Sequence, residues 1–495
     1  MRVSKFHLRL AAGIALAATL PVRATQPTSA PVQSAGLIAK GSDWATPYYV
    51  VDSAVPGPTV LVVGGMHGNE PAGAYAAEEI SHWTVSSGKL IVIPQANKAA
   101  LALNARSQPA TQEAGARDLN RCFPQREGQP PQGALAEGLW NFVRDNHPDW
   151  LIDLHEGVGL SGTSSKSVAA SIIAGNAQKV RKQAAQMIQA VNETIGEEKA
   201  KFTPKVNPIG GSLARAAFDR LGVGSMIVET SRTDQALSLR IRQHRVVVHR
   251  LLADLKMDPC GVDVLVRKAA VAGKLRVAVY DAQGSLNADP RTVAGILGGQ
   301  DDAVVRYVGP PEILNEALDQ FDVLVMPGGS ASEQSKALGE KGLSAIKKFV
   351  KEGGGYVGIC AGAYLATGTY TWSLGILEAD VIDRAHWRRG KGLVKVELTD
   401  QGRDILGNLS GQIDVRYANG PLLSPAKKDG AVKVLAHFRS EINQNNAPEG
   451  VMKDTPAVLA GQFGKGRVIV SSPHVESMPD LADAVRRAVR WAGGR

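Results

Sequence analysis

Val62-Val63-Gly64-Gly65-Met66-His67-Gly68-Asn69-Glu70 decides the reading of this chain. An apolar β-branched run ends in two glycines, and a histidine and a glutamate follow at i and i+3. One turn carries both side chains to the same side, where an imidazole nitrogen and a carboxylate can hold one metal. Working outward, Tyr48 to Asp52, Thr59 to Val63, Lys89 to Pro94, Asp149 to Leu154 and Val223 to Glu229 read as strands. Leu135 to Asn146, Ala177 to Ile195 and Leu237 to Leu255 read as helices between them. Such alternation predicts an α/β domain with a parallel or mixed sheet.

Three further stretches complete the first constellation. Asp153-Leu154-His155 ends a buried strand, and ligands in open α/β sheets bind beyond the carboxyl ends of strands. His67, Glu70 and His155 form a two-histidine, one-carboxylate set with a fourth position left for water, the pattern of a catalytic zinc. Zinc lowers the pKa of such a water and polarises a carbonyl. Glu229 closes the apolar strand Met226 to Glu229; a carboxylate there is costly without a task, and general base is the task assigned to it. In Asp118-Leu119-Asn120-Arg121 a guanidinium forks onto a substrate carboxylate with help from the adjacent amide, while Arg106 would polarise the scissile carbonyl. Glu156 reads as a residue supporting its neighbour His155, and Cys122 has no assigned role.

Taken together, His67-x-x-Glu70, Asp118 to Arg121, Asp153 to His155 and Glu229 resemble the zinc metallocarboxypeptidase family. The spacing is that of its succinylglutamate desuccinylase/aspartoacylase branch, and the resemblance covers about 48–255. It implies one zinc per chain on His67, Glu70 and His155, a base at Glu229, a carbonyl-polarising Arg106, and substrate-carboxylate binding by Asn120 and Arg121.

Met257-Asp258-Pro259-Cys260-Gly261 breaks the pattern, and Lys274 to Tyr280 opens a second strand–helix series. Phe321 to Met326, Gly355 to Ile359 and Arg467 to Val470 read as strands, and Leu343 to Glu352 as a helix. In Gly358-Ile359-Cys360-Ala361-Gly362 two glycines permit the sharp strand-to-helix turn that presents a nucleophile. The helix N-terminus after it favours the thiolate. Met326-Pro327-Gly328-Gly329 offers backbone N–H groups for an oxyanion. In Pro473-His474-Val475-Glu476, Glu476 stands two residues from His474 and would orient it against Cys360. This half resembles a class I glutamine amidotransferase-like (flavodoxin-like) fold. Gly358 to Tyr364 and Tyr417 to Pro421 look like the domain at the N-terminus of some biotin–protein ligases. By resemblance Cys360, His474 and Glu476 form a triad. Val475 stands where that fold usually has proline, and no synthetase domain that would use released ammonia is visible. A fold that keeps the turn for packing alone remains the other reading.

Composition sets the frame. Hydrophobic residues make up 44% of the 495 and charged residues 21%, enough apolar content for two cores. Arg2, Lys5 and Arg9 precede the apolar run Leu10 to Val22, and small residues flank Arg23, which reads as a secretory signal over 1–24 rather than a membrane anchor. The formal charge of +9 falls to +5 without the signal's four cations. No basic run is interleaved with aromatics, which argues against nucleic acid. The expected division is a signal at 1–24, a polar leader at 25–45, the zinc domain at 46–257, a linker at 258–273 and the thiol domain at 274–495. Three cysteines leave at least one thiol free after export; a Cys122–Cys260 bridge would leave Cys360. The expected protein is exported to the periplasm or beyond, without a membrane span after signal cleavage. It acts on a small carboxylate-bearing amide or peptide, cell-wall peptides being one class that export would supply. Two rivals stay open: a thiol amidase working through Cys360, and a non-catalytic binding module of the cell envelope.

Overall fold

The first sheet is built from eight strands. They are β1 (Val32–Ile38), β2 (Thr46–Asp52), β3 (Thr59–Gly64), β4 (Lys89–Ile93), β5 (Trp150–Gly157), β6 (Ser171–Ala174), β7 (Thr203–Val206) and β8 (Gly224–Ser231). Their spatial order is β1-β2-β4-β3-β5-β8-β6-β7. The central strands β4, β3, β5 and β8 run parallel, and every residue of β5 is buried. Continuous apolar runs therefore belong in the middle and alternating ones at the edge. The edge strand β1 lies within the polar stretch read as a leader; it pairs antiparallel with β2 over its whole length, so the sheet begins earlier than the sequence pattern indicated.

The computed structural model describes residues 32–107, 118–160, 167–259, 265–266, 269, 271–285, 289–299, 301–427 and 430–495. The signal at 1–24 and Cys260 lie outside the described residues, as does the Cys122–Cys260 pairing.

The second sheet has nine strands and a separate two-stranded ribbon. In chain order these are β9 (Leu275–Tyr280), β10 (Ala303–Val308), β11 (Val323–Met326), β12 (Gly355–Ile359), β13 (Ala379–Ile382), β14 (Lys391–Leu398), β15 (Gln412–Ala418), β16 (Leu422–Pro425), β17 (Lys433–Phe438), β18 (Pro456–Phe463) and β19 (Gly466–Ser471). The sheet order is β10-β9-β11-β12-β19-β18-β17-β14-β15, and β13 pairs with β16. Its first five strands are parallel and its last four antiparallel.

Helices cover both sheets. The helix Leu237–Asp254 packs on Pro71–Ile80 and Gln178–Asn192 beside the first sheet. The helix read at 343–352 is longer, Ala331–Glu352, with a break at Gly339. Both sheets lie within one compact unit. One apolar cluster runs from Val62 and Ile152 in the first sheet to Met326 and Tyr356 in the second, and includes Leu265, Val266 and Ala269 from the stretch read as a linker. Arg242 of the helix Leu237–Asp254 reaches Glu312 of the second half through Nε to Oε1 at 2.5 Å and Nη2 to Oε2 at 2.9 Å, both side chains buried.

Candidate active sites

The carboxyl ends of three adjacent parallel strands, β3, β5 and β8, meet at one pocket of about 350 Å³. His67 and Glu70 follow β3, His155 lies near the end of β5, and Glu229 lies near the end of β8, paired in register with His155. Parallel registry thus delivers four groups from distant sequence positions to one rim. Glu70 immediately precedes the helix Pro71–Ile80. That helix sits tightly on β5, since a Cβ on Gly73 would stand 2.3 Å from the Leu154 carbonyl oxygen.

His67 Nδ1 lies 2.9 Å from Glu70 Oε1, His155 Nδ1 2.9 Å from Glu70 Oε2, and the two Nδ1 atoms 3.2 Å apart. Each outer nitrogen faces its own carboxylate: His67 Nε2 stands 3.0 Å from Asp118 Oδ1, and His155 Nε2 3.0 Å from Asp153 Oδ2. The second is a contact of charge, since Asp153 makes no aligned side-chain hydrogen bond. In this buried space each Nδ1 either hydrogen-bonds Glu70 or, once deprotonated, turns its lone pair toward a cation. One ligand atom from each of His67, Glu70 and His155 lies within 4.8 Å of the other two, close enough to share one ion.

The electrostatics tell the same story. Burial opposes the charge on Glu70, yet hydrogen bonds from His155 and His67 hold its carboxyl far below the usual range. Burial works against a charged His155 as well, and the Asp153 and Glu70 carboxylates outweigh it and raise its pKa. Asp118, against burial, is held down to about 2 by His67 and by the Arg106 and Arg121 charges. Glu229 differs: burial is the largest influence and, with the Glu70 charge, raises it to about 7 against the pull of His155 and His67.

Arg121 and Asn120 line the same pocket as the metal-ligand set. Asn120 is held by its Oδ1, which accepts from the Leu213 N–H at 3.2 Å, and its Nδ2 lies 3.4 Å from His155 Nε2. Arg106 also lines the pocket, with its guanidinium on Glu70 Oε1 at 2.9 Å and Asp118 Oδ2 at 3.5 Å. Glu156 accepts from the Ala72 N–H at 2.8 Å and pairs with Arg240, which ties the start of the helix Pro71–Ile80 to the site. Cys122 donates to the Asp118 carbonyl at 3.3 Å.

Sequence reasoning missed the supporting roles of Asp118 and Asp153, and it missed Arg232. Asp153 had a signal: two residues before His155 on a strand, it shares that histidine's face. Arg232 lines the pocket three residues beyond Glu229, donates to the Asn69 carbonyl at 2.8 Å, and keeps a buried Nε without a partner.

A second centre forms where β12 and β19 run side by side. Cys360 turns the chain from β12 into the helix Ala361–Ala366 with φ 50° and ψ −97°, a conformation costing about 1–3 kcal/mol that surrounding structure must enforce. Its Sγ–H donates to the Ala418 carbonyl at 3.6 Å, and His474 Nε2 is buried without a hydrogen-bond partner among the described residues. His474 Nδ1 lies 2.8 Å from Glu476 Oε1. Burial lowers the His474 pKa, but the neighbouring Cys360 and Glu476 prevail and raise it to about 10. A further carboxylate, Asp289 Oδ2, stands 3.5 Å from the same Nδ1; nothing in the sequence near the triad pointed to it. Gly328 makes room for it, because a Cβ there would lie 2.5 Å from both Asp289 Oδ2 and His474 Cε1. Of the Tyr417 to Pro421 motif, the Tyr417 hydroxyl donates to the Gly420 carbonyl at 2.7 Å and Asn419 Oδ1 accepts from the Gly390 N–H at 2.9 Å, so this stretch shapes the wall beside Cys360.

Among the described residues no helix is long and apolar enough to cross a membrane. Residues 56–253 match the family described as succinylglutamate desuccinylase/aspartoacylase catalytic domain, and residues 279–388 match biotin–protein ligase, N terminal. An uncharacterised protein of Chlamydia muridarum is 25% identical over 169 residues, 32% of this chain and 62% of that protein. An N-alpha-acetyl-L-2,4-diaminobutyric acid deacetylase of Halomonas elongata is 34% identical over 107 residues, 20% of this chain and 29% of that one. The mDAP-bound D,L-carboxypeptidase Csd4 of Helicobacter pylori superposes with a TM-score of 0.35 at 19% identity, covering 41% of this chain and 51% of that chain. Each match spans less than two thirds of the relative's own length. The chain is therefore similar to the succinylglutamate desuccinylase/aspartoacylase catalytic domain over 56–253 and to the biotin–protein ligase N-terminal domain over 279–388.

Proposed function

We propose that the first half is a metal-dependent hydrolase that cleaves an amide bond adjacent to a free carboxylate, either an N-acyl amino acid or a peptide C-terminus. The observation that carries this is the convergence of His67 Nδ1, His155 Nδ1 and both Glu70 oxygens within 3.2 Å of their neighbours in a pocket that also holds Glu229. The nitrogen-rich donor set fits zinc, one per chain, and a bound zinc would supply Lewis-acid polarisation of the carbonyl and acidify a water. Arg121 and Asn120 anchor the substrate carboxylate, Arg106 faces the carbonyl end, and Glu229 takes a proton from the attacking water and returns it to the leaving nitrogen. The Halomonas relative's name, a deacetylase of an N-acetylated amino acid, supports the reaction class. The test is an assay of the metal-loaded chain on N-acyl amino acids and on cell-wall peptides, with and without chelator. Cleavage that survives metal removal, or that is unaffected by Glu229→Gln, sinks the proposal.

The enzyme would be exported through 1–24, cleaved to its mature form, and divided at 258–273 into its two functional halves. The strained turn that carries Cys360 and the nearby His474–Glu476 pair support thiol chemistry at the second centre. Iodoacetamide should then abolish an amidase activity that chelators spare. If it abolishes none, the second half acts as a binding module.

A further inference from the structure

Resting on the amide-hydrolase reading, we infer that this pocket selects substrates whose carboxylate-bearing half carries an apolar side chain. Large apolar side chains are normally scattered when exposed, whereas a contiguous set at a pocket mouth marks a binding surface. Val158, Val168 and Ile209 are 64%, 39% and 52% exposed, and all three line the metal pocket. Beneath them Ile173 and Ile227, cross-strand partners on β6 and β8, continue the apolar wall inward.

The placement of this wall says which half of the substrate it meets. Ile227 lies two residues before Glu229 on β8, hence on the same face. Glu229 serves the leaving nitrogen, and that nitrogen belongs to the carboxylate-bearing half. On the other side the loop that carries Ile209 is pressed on the anchor: a Cβ on Gly211 would stand 2.7 Å from the Arg121 carbonyl oxygen, and the Phe123 N–H donates to the Gly211 carbonyl at 3.0 Å. The wall therefore spans the gap between base and anchor, where a substrate held at both ends places its α-carbon substituent. Among the described residues no lysine lines this pocket; its arginines are Arg121, the anchor, Arg106, tied to Glu70, and Arg232, bonded to the Asn69 carbonyl, while its carboxylates are Glu70, Glu156 and the base Glu229. An aliphatic or aromatic side chain fits the wall; a cationic one would be desolvated there beside arginines.

The experiment compares kcat/KM of the zinc-loaded chain for N-acetyl derivatives of glycine, alanine, norvaline, leucine, phenylalanine, aspartate and lysine. The expected series rises about fourfold per buried methylene and falls for lysine. Ile209→Asp should compress the leucine-to-glycine ratio at least tenfold, and Ile209→Leu should restore it. A flat series, or a preference for aspartate or lysine, overturns the inference and leaves the hydrolase reading standing. If no member is cleaved in a chelator-sensitive way, the hydrolase reading falls. Calorimetric binding to Glu229→Gln then decides the pocket by itself: tighter N-acetyl-leucine than N-acetyl-glycine supports the wall, and equal binding overturns it.

Discussion

His67 Nδ1 and His155 Nδ1 lie 3.2 Å apart across 88 residues of chain, each also 2.9 Å from a different oxygen of Glu70. Behind them the outer ring nitrogens each face a carboxylate at 3.0 Å, Asp118 for His67 and Asp153 for His155.

That arrangement makes Asp153 a determinant of metal affinity. Asp153→Asn keeps the shape and removes the charge from a fully buried position. Metal affinity should fall about 10–100-fold, as read by competition with a chromogenic chelator. Unchanged affinity would show that Asp153 serves packing alone.

Glu229→Gln should leave metal content at one per chain and lower kcat about 10²–10⁴-fold. Burial raises the Glu229 carboxyl to about 7, and it must be ionised to act as base. Activity therefore rises with pH through this group. A bound divalent ion pulls its value down, so the acid limb of kcat/KM should lie above the ordinary glutamate value of about 4.3 and no higher than 7. The limb should vanish in what activity Glu229→Gln retains.

At the second centre the raised pKa of His474 links to stability. Its folded value, about 10, exceeds the unfolded one of about 6.5. The stabilisation is fully present below about 6.5 and is lost as pH rises through 10. The urea midpoint should fall over that window in the native sequence and change less in Glu476→Gln. Parallel curves for the two would refute the linkage.

Arg242 and Glu312 form a buried bidentate pair between the halves. Arg242→Met leaves the Glu312 charge uncompensated and should destabilise by about 3–5 kcal/mol, measured by denaturant unfolding. Arg242→Met with Glu312→Gln should recover much of that loss. If the single variant is as stable as the native chain, the pair carries no net stabilisation against its removal.

Much of the architecture was legible along the chain because apolar runs and glycine turns are local signals. The strands at 59–63 and 89–94 and the helix at 237–255 match the structure to within one residue at each end. The edge strand Val32–Ile38 was not, since its polar sequence earns strand geometry only by pairing with β2. The site residues His67, Glu70, His155 and Glu229 were visible as strand-end polar groups. Asp289 was invisible, because only the folding of one helix start beside the end of β19 brings it to His474.

Residue type and order alone therefore nominated the proposed site residues and the strands that present them, since both follow from short-range patterning. Tertiary structure alone decided the 3.2 Å approach of the two imidazoles, the carboxylates behind them, and the gathering of apolar residues in the pocket that Glu229 and Arg121 also line. These depend on strand order and register, which neighbouring residues do not encode: β3, β5 and β8 are adjacent in space and far apart in the chain.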